Sequence, residues 1–248
     1  MSIQNLKRIR RAYVMPILKF IRRGLNIFKQ YAYPNYKSNP TVYDLYKEEQ
    51  VKKCYEHFKS DLKKAVLLGS DQIRGHALNK AIENDNNSNY FYIEFGVFSG
   101  TSINYFSNKL KKNIYGFDSF EGLKEDWLGT SVTKGTFDLK KKIPTLNSNV
   151  IPVVGWVQDT LPTFLNEKKP QINFVHMDVD TYESSKFILE KIKPFLIKGA
   201  IILFDEVYNF EGWDVGEYKA LTEVFEDKDY QFISFSKDTS QAAIKILN

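Results

Sequence analysis

The sequence predicts an α/β fold with a doubly wound, mostly parallel sheet that closes with a C-terminal antiparallel hairpin. Two observations predict it. From Asn89 onward, short apolar runs alternate with amphipathic stretches, as strands joined by crossover helices do. At the C-terminus, "YQFISFS" (230–236) and "AAIKILN" (242–248) are separated only by a short polar turn. A parallel crossover needs about a dozen residues, so this pair is antiparallel. With 248 residues, 43% of them apolar and 15% aromatic, the chain can build one sizeable core and an appendage.

The appendage comes first. Residues 1–43 carry nine Lys or Arg and no acid, so the formal charge of +5 hides a body at −4 with no bulk nucleic-acid signature. Within "LKRIRRAYVMPILKFIRRGLNIFKQYAY" (6–33), Val14, Ile17, Leu18, Ile21, Leu25 and Phe28 recur at helical spacing, with Lys19, Arg22, Arg23 and Lys29 largely between them. A basic amphipathic arm over 1–33 fits three roles. It packs on the domain or on a sister subunit of a homo-oligomer, lies on anionic lipid as a peripheral contact, or touches nucleic acid, which the acidic body disfavours. Lys19 and the Arg pair interrupt any secretory apolar core, and no run of about 18 apolar residues is present to span a bilayer. Together with a single cysteine, Cys54, this gives the expectation of a cytoplasmic protein, in contact with the inner membrane face at most.

Pro34 and Pro40 mark a linker, and residues 41–84 read as helical, so 34–88 is expected to be a helical segment or lid before the domain at 89–248. Strands are read at 90–95, 113–117, 150–154, 172–177 and 200–204, ahead of the terminal pair. Helices are read at about 101–110, 160–167, 182–193 and 215–226. Asp159, before Thr160-Leu161-Pro162, reads as the cap of its helix.

Three strand ends carry chemistry. In "YIEFGVFSGTS" (92–102), Gly96 and Gly100 frame a strand-to-helix turn whose backbone N–H groups can approach a ligand, and Glu94 suits a ligand's ammonium group better than bulk packing. Phe98 stands where a dinucleotide fingerprint needs its middle glycine. In "NIYGFDSFEGL" (113–123), Asp118 lies 22 residues after Gly96, near the separation at which an acid meets ribose hydroxyls. The third end combines "NFVHMDVDTYES" (173–184) with "AIILFDEVYNFEG" (200–212). Adjacent strands deliver Asp178, Asp205 and Glu206 to one crevice, where they repel one another unless a cation such as Mg²⁺, Ca²⁺ or Mn²⁺ sits among them. Asp180 reads either as part of this set or as the cap of the following helix. His176 reads as a satisfied core residue, and Trp156 as an adenine platform or a cover for the sheet edge.

The ordered motifs "EFGVFSGTS", "GFDSFEGL", "KGTFD" (134–138), "GWVQDTLP" and "VHMDVDTYESS…ILFDEV" resemble the macrocin O-methyltransferase (TylF-type) family of class I methyltransferases, over roughly residues 70–226. The resemblance implies a Rossmann-like, seven-stranded sheet and S-adenosylmethionine as cofactor. It also implies a divalent ion, Mg²⁺ or Mn²⁺, and methyl transfer to a hydroxyl, typically of a sugar, which extends to a glycosylated metabolite or envelope glycan. By position it implies that Glu94, Gly96, Ser99, Gly100, Thr101 and Ser102 hold the amino-acid end of the cofactor. Asp118 and Ser119 would take the ribose, and Asp178, Asp205 and Glu206 the metal. Two features depart from the pattern: Glu206 is longer than the Asp common there, and the stretch Phe95 to Phe98 replaces the frequent "CGVW".

The expected reaction uses Asp178, or secondarily Asp180, as general base toward the acceptor hydroxyl, under cover of the loop 119–149 and the segment Tyr208 to Trp213. Two other classes remain. In a glycosyltransferase, "DVD" (178–180) would be the metal motif of a nucleotide-sugar site, but the glycine turn would have no use. A non-catalytic module would not need acids at all three strand ends.

Overall fold

The computed structural model describes residues 21, 23, 40–87 and 89–248. Apart from two positions, the arm expected at 1–33 lies outside the described residues, as does most of the linker. The chain divides into two compact units, Met1–Lys47 and Glu48–Asn248. In the first, Thr41 and Asp44 cap a helix start reciprocally: Asp44 Oδ2 accepts the Thr41 N–H at 2.9 Å, and Thr41 Oγ1 accepts the Asp44 N–H at 3.1 Å.

The elements in order are α1 (Val42–Leu62), β1 (Val66–Leu68), α2 (Ser70–Glu83), β2 (Tyr90–Phe95), α3 (Thr101–Ser107), β3 (Ile114–Asp118), β4 (Val150–Val154) and α4 (Val157–Lys168). Then come β5 (Gln171–Met177), α5 (Tyr182–Ile192) with a 3₁₀ turn (Lys193–Phe195), β6 (Leu196–Phe204), α6 (Glu217–Val224), β7 (Tyr230–Ser236) and β8 (Ala242–Ile246). The strands form one sheet in the order β1-β7-β8-β6-β5-β2-β3-β4. All pairs are parallel except β6–β8 and β7–β8, so the α/β class and the antiparallel hairpin are as the sequence predicts. The sheet has one strand more than the seven expected. β1 adds only three residues, parallel to β7, within a stretch that reads as helical. Residues 48–87 fall in the same compact unit as the sheet.

Alternation along the strands fills two apolar layers. In β6, Ile202 and Phe204 face a core shared with α4, α5, α6 and the Cys54–Phe58 end of α1. Ile201 and Leu203 face the other core, with Ile73, Ala77, Leu78 and Ala81 of α2 and Ile103 and Phe106 of α3. Strands buried on both faces read as continuous apolar runs, which is why the sequence shows them so clearly.

Strand order reverses beside β2: the chain passes outward to β3 and β4, then returns to β5 on the other side. This is the switch point at which doubly wound sheets open a crevice above their C-terminal strand ends. Here the two ends touch. The Asp178 N–H donates to the Phe95 carbonyl at 2.9 Å. Gly96 holds φ +87°, and a Cβ there would lie 1.6 Å from the Asp178 carbonyl oxygen. Only glycine fits.

Candidate active site

The crevice is a cavity of about 290 Å³ lined by Gly96, Ser99, Thr101, Ser102, Asp118, Ser119 and Trp156 on one side and Asp178 to Thr181 on the other. Seven of the nine residues expected around the cofactor therefore meet there. The other two act from behind. Gly100 is the N-cap of α3 with φ +80°. Glu94 is fully buried; its Oε1 accepts from Ser102 Oγ at 2.9 Å, and its Oε2 faces His176 Nδ1 at 3.1 Å. Through Ser102 it fixes a wall residue without lining the cavity.

Asp118 builds the turn opposite. Its Oδ2 accepts the N–H groups of Val97 (2.8 Å) and Phe98 (2.7 Å), and its Oδ1 accepts that of Phe120 (2.7 Å). Phe98 and Phe120 both have positive φ, so these charge-assisted bonds hold a backbone that non-glycine residues disfavour. The Phe98 ring stands edge-on to Phe137 at 5.2 Å, and the Lys124 ammonium lies 5.3 Å from the Trp156 ring centroid. The loop 119–149 contributes Gly122, Leu123, Lys124 and Phe137 to this crevice. It also reaches the second expected covering segment: Trp127 and Phe210 meet at 6.5 Å, and Gly129 packs so closely on Gly212 that a Cβ at Gly129 would sit 2.4 Å from the Gly212 Cα. That segment is anchored from below, where Trp213 and Tyr208 pack on Phe58 of α1 at 5.5 and 5.9 Å.

At the β5 and β6 ends the acids gather. Asp178 belongs to two groups whose candidate ligand atoms all lie within 4.8 Å of one another: His176, Asp178 and Asp205, and Asp178, Asp180 and Glu206. Asp205 is the compensated member. Arg74 donates to its Oδ1 at 3.2 Å, the Gln241 amide donates to the same oxygen, and His176 Nε2 faces it at 3.5 Å. Burial pushes the Asp205 carboxyl up, but His176 and Gln241 outweigh it and hold the group well below the usual carboxylate range. Burial alone would lower His176, yet Asp205 and Glu94 raise it to about 10, while burial pushes the Glu94 carboxyl up.

The remaining acids are crowded. Burial and the Asp205 charge push Asp178 well above its ordinary value and Asp180 up to about 7. Glu206 is raised by burial, then by Asp205 and Glu217; burial raises Glu217 too, although its Oε2 accepts the Glu206 N–H at 3.1 Å. Among the described residues, the cationic groups paired with this cluster are Arg74 and His176. Glu206 Oε2 and Glu217 Oε1 are buried without a hydrogen-bond partner. Hard oxygen donors in excess of their cations, two of them with orphaned atoms, fit a divalent ion such as Mg²⁺ or Mn²⁺.

Residues 93–207 match a methyltransferase-domain family model. Solved structures of similar fold include the calicheamicin methyltransferase CalS11, with a TM-score of 0.56 and 19% identity over 84% of this chain and 94% of that one. An apo structure of CalS11, described as a TDP-rhamnose 3'-O-methyltransferase, has a TM-score of 0.52 and 20% identity over 84% and 96% of the two chains. The O-methyltransferase NovP has a TM-score of 0.51 and 20% identity over 72% and 79%. No curated protein sequence matches. Chain and neighbours share the class I methyltransferase fold.

Within this methyltransferase fold two capping expectations are corrected. Asp180 does not cap α5: the N-cap is Thr181, while Asp180, with φ +62° and 8% exposed, lines the crevice. Asp159 does not cap α4, which starts at Val157 after Trp156 and so places Asp159 in its first turn. His176, read as a satisfied core residue, is fully buried and bonded to Glu94, and its other ring nitrogen also faces Asp205 among the acids. Arg74, Glu217 and Gln241 escaped sequence reasoning altogether. An Arg on a helix, a Glu in a first helical turn and a Gln opening a strand carry no signal until the elements pack.

Proposed function

We propose that the protein is an S-adenosylmethionine-dependent O-methyltransferase of the TylF type, assisted by Mg²⁺ or Mn²⁺, whose acceptor is the hydroxyl of a sugar or glycosylated compound. One observation carries the reading: at the switch point of a methyltransferase fold, a ligand-sized crevice ends in a cluster of carboxylates that outnumber their cations. The sugar is supported by CalS11, described as acting on TDP-rhamnose.

When bound, S-adenosylmethionine supplies an electrophilic methyl group, and a divalent ion held by Asp178, Asp205 and Glu206 makes a nearby hydroxyl more acidic. The chain does the rest by placement. Ser99, Thr101 and Ser102, with the Gly96 backbone, hold the amino-acid end of the donor, and Glu94 steadies Ser102. Asp118 and Ser119 bind at the ribose edge, with Trp156 and Phe98 as aromatic walls. Asp178, the acid common to both groups of clustered carboxylates, takes the proton of the acceptor hydroxyl, with Asp180 beside it as a second base. Holding two reactants in line is worth up to roughly 7–11 kcal/mol of the barrier. A glycosyltransferase reading of "DVD" leaves the glycine turn without a role.

The basic arm over 1–33 serves as a peripheral hold on an anionic membrane surface inside the cell, or as a contact in a homo-oligomer, and no nucleic-acid partner is proposed. Flotation of the full chain and of a chain lacking 1–33 with anionic liposomes separates these two uses. The test of the function is calorimetry with S-adenosylmethionine, S-adenosylhomocysteine and NAD. Binding of the first two and not the third is expected, and a preference for NAD overturns the assignment.

A further inference from the structure

Five aromatic residues line the donor crevice: Phe95, Phe98, Phe117, Phe137 and Trp156. Three of them are already committed. Phe95 and Phe117 are buried in the core shared with α4 and α5. Trp156 has the Lys124 ammonium 5.3 Å from its ring centroid, where a second cation would meet like charge. Phe98 and Phe137 differ, being 41% and 38% exposed and part of neither apolar core. We propose that Phe98, braced by Phe137, sets the charge specificity of the donor site: its ring favours the sulfonium of S-adenosylmethionine over the neutral thioether of S-adenosylhomocysteine.

The proposal rests on the methyltransferase reading and deepens it. Position is the first argument. In the covalent structure of the donor, sulfur lies between the amino-acid chain and the ribose. Ser99, Thr101 and Ser102 are assigned to the first, Asp118 and Ser119 to the second. Phe98 joins the two groups, because it precedes Ser99 in the glycine turn and donates its N–H to Asp118 Oδ2 at 2.7 Å.

The backbone is the second. Phe98 holds φ +43° and Phe137 φ +69°, in the left-handed region that bulky side chains disfavour. Phe120 shares that conformation, but its ring fills the core beneath α2 and α3. No such burial accounts for Phe98 or Phe137, whose rings stand edge-on to each other at 5.2 Å. An edge-on contact uses the face of one ring only, so the other keeps both π faces for a ligand. Backbone strain of this kind collects at ligand clamps.

Charge is the third. Methyl transfer breaks the bond between sulfur and the methyl carbon, and the electron pair of that bond stays on sulfur. A cation thereby becomes a neutral thioether, while the acceptor oxygen gains the methyl group and gives its proton to the base. A ring face attracts the cation and not the thioether. Phe98 therefore loosens its hold as the donor is spent, which favours exchange of product for fresh donor. Carboxylates along the crevice prefer a cation as well, but replacing a ring leaves them in place.

The test is calorimetry on the full chain with three ligands. S-adenosylmethionine and sinefungin are cationic at the reacting position, the second through a protonated amine, whereas S-adenosylhomocysteine is neutral there. Phe98→Leu keeps apolar bulk and the N–H that Asp118 accepts but removes the π face; Phe98→Tyr keeps the face. Melting temperature is the folding control. Phe98→Leu should weaken both cationic ligands about fivefold and leave S-adenosylhomocysteine within about twofold, while Phe98→Tyr stays within about twofold of wild type for all three. Phe137→Leu leaves the glycine turn untouched and should shift the same ratio in the same direction; it decides the matter if Phe98→Leu does not fold. An equal loss for all three ligands, as from missing apolar contact alone, overturns the proposal. An unchanged ratio does so too, as does a Tyr variant that behaves like Leu. Failure of the wild type to bind any of the three overturns the methyltransferase reading and this one with it; binding with an unaltered ratio in the variants overturns this one alone.

Discussion

Glu94 and His176 are register partners across β2 and β5, and their side chains form a fully buried ion pair, Oε2 to Nδ1 at 3.1 Å. The pair connects the two halves of the site, because Glu94 also holds Ser102 in the donor wall and His176 also faces Asp205 among the acids. Removing one partner of a buried ion pair leaves the other charge uncompensated, at a cost of about 3–5 kcal/mol. His176→Asn should therefore destabilise the protein by about that much, and Glu94→Ala should do the same while also weakening S-adenosylhomocysteine binding through Ser102. Denaturant unfolding of both variants and the double mutant checks this. Additive losses would show that the two side chains are not coupled.

Gly96 gives a sterner prediction. A Cβ placed 1.6 Å from the Asp178 carbonyl, at φ +87°, forces the ends of β2 and β5 apart. Gly96→Ala should cost more than about 3 kcal/mol, or leave no folded protein. Expression with a wild-type melting temperature would contradict the close approach. Gly135 is the matched control: its φ is +82° but nothing lies within 4 Å of the added Cβ, so Gly135→Ala should cost only the backbone strain, about 1–2 kcal/mol.

The contrast between such positions explains what the sequence could reveal. Strands buried on both faces announce themselves as apolar runs, and the carboxylates at their ends follow because a parallel sheet delivers every strand end to the same edge. Asp118, Asp178, Asp205 and Glu206 were legible for that reason. Arg74, Glu217 and Gln241 reach the same edge from helices and a hairpin, and their arrival depends on packing angles that no local pattern encodes. His176 was visible as buried but its partner was not, because Glu94 is 82 residues away and adjacent only through strand pairing. β1 was hidden by size: three residues are too few to show a period of two. The start of α4 was misread because Asp159 before Pro162 looks like a cap, while the extended Trp156 begins the helix earlier.

Asp118 has two duties that substitution separates. It accepts three backbone N–H groups within 2.8 Å, and it lines the cavity where ribose hydroxyls are proposed to bind. Asp118→Asn keeps the shape and an acceptor oxygen but loses the charge, so it should cost about 1–2 kcal/mol of stability and weaken S-adenosylhomocysteine binding by about tenfold. Asp118→Ala leaves the N–H groups of Val97, Phe98 and Phe120 without this partner and should cost about 2–4 kcal/mol. Calorimetry on the Asn variant, paired with thermal melts on both, checks the division. Undiminished binding in a folded Asp118→Ala protein would remove Asp118 from the donor site.

The acid cluster gives the last prediction, and it turns on how differently its members are compensated. Asp178 belongs to both groups of candidate ligands, whereas Asp205 is already engaged by Arg74, Gln241 and His176. A divalent ion binding the folded state alone raises its stability by RT ln(1 + [L]/Kd), about 2.7 kcal/mol at a hundredfold excess over Kd. Mg²⁺ or Mn²⁺ should therefore raise the melting temperature of the wild type, and chelator should reverse the rise, with no turnover needed for the readout. Asp178→Asn relieves repulsion in the metal-free protein, so it should melt higher than wild type in chelator yet gain little from Mg²⁺. Asp205→Asn should behave in the opposite sense. It strands Arg74 and His176 without their shared carboxylate, lowering stability in chelator by about 2–4 kcal/mol, while a reduced response to the ion remains through Asp178, Asp180 and Glu206. Glu217→Gln tests the outer layer, since Glu217 orients Glu206 through its backbone N–H and adds to its crowding. It should stabilise the chelated protein and weaken ion affinity less than Asp178→Asn does. An identical response to Mg²⁺ in the wild type and Asp178→Asn would show that the ion binds elsewhere, and that these carboxylates share protons among themselves instead of a metal.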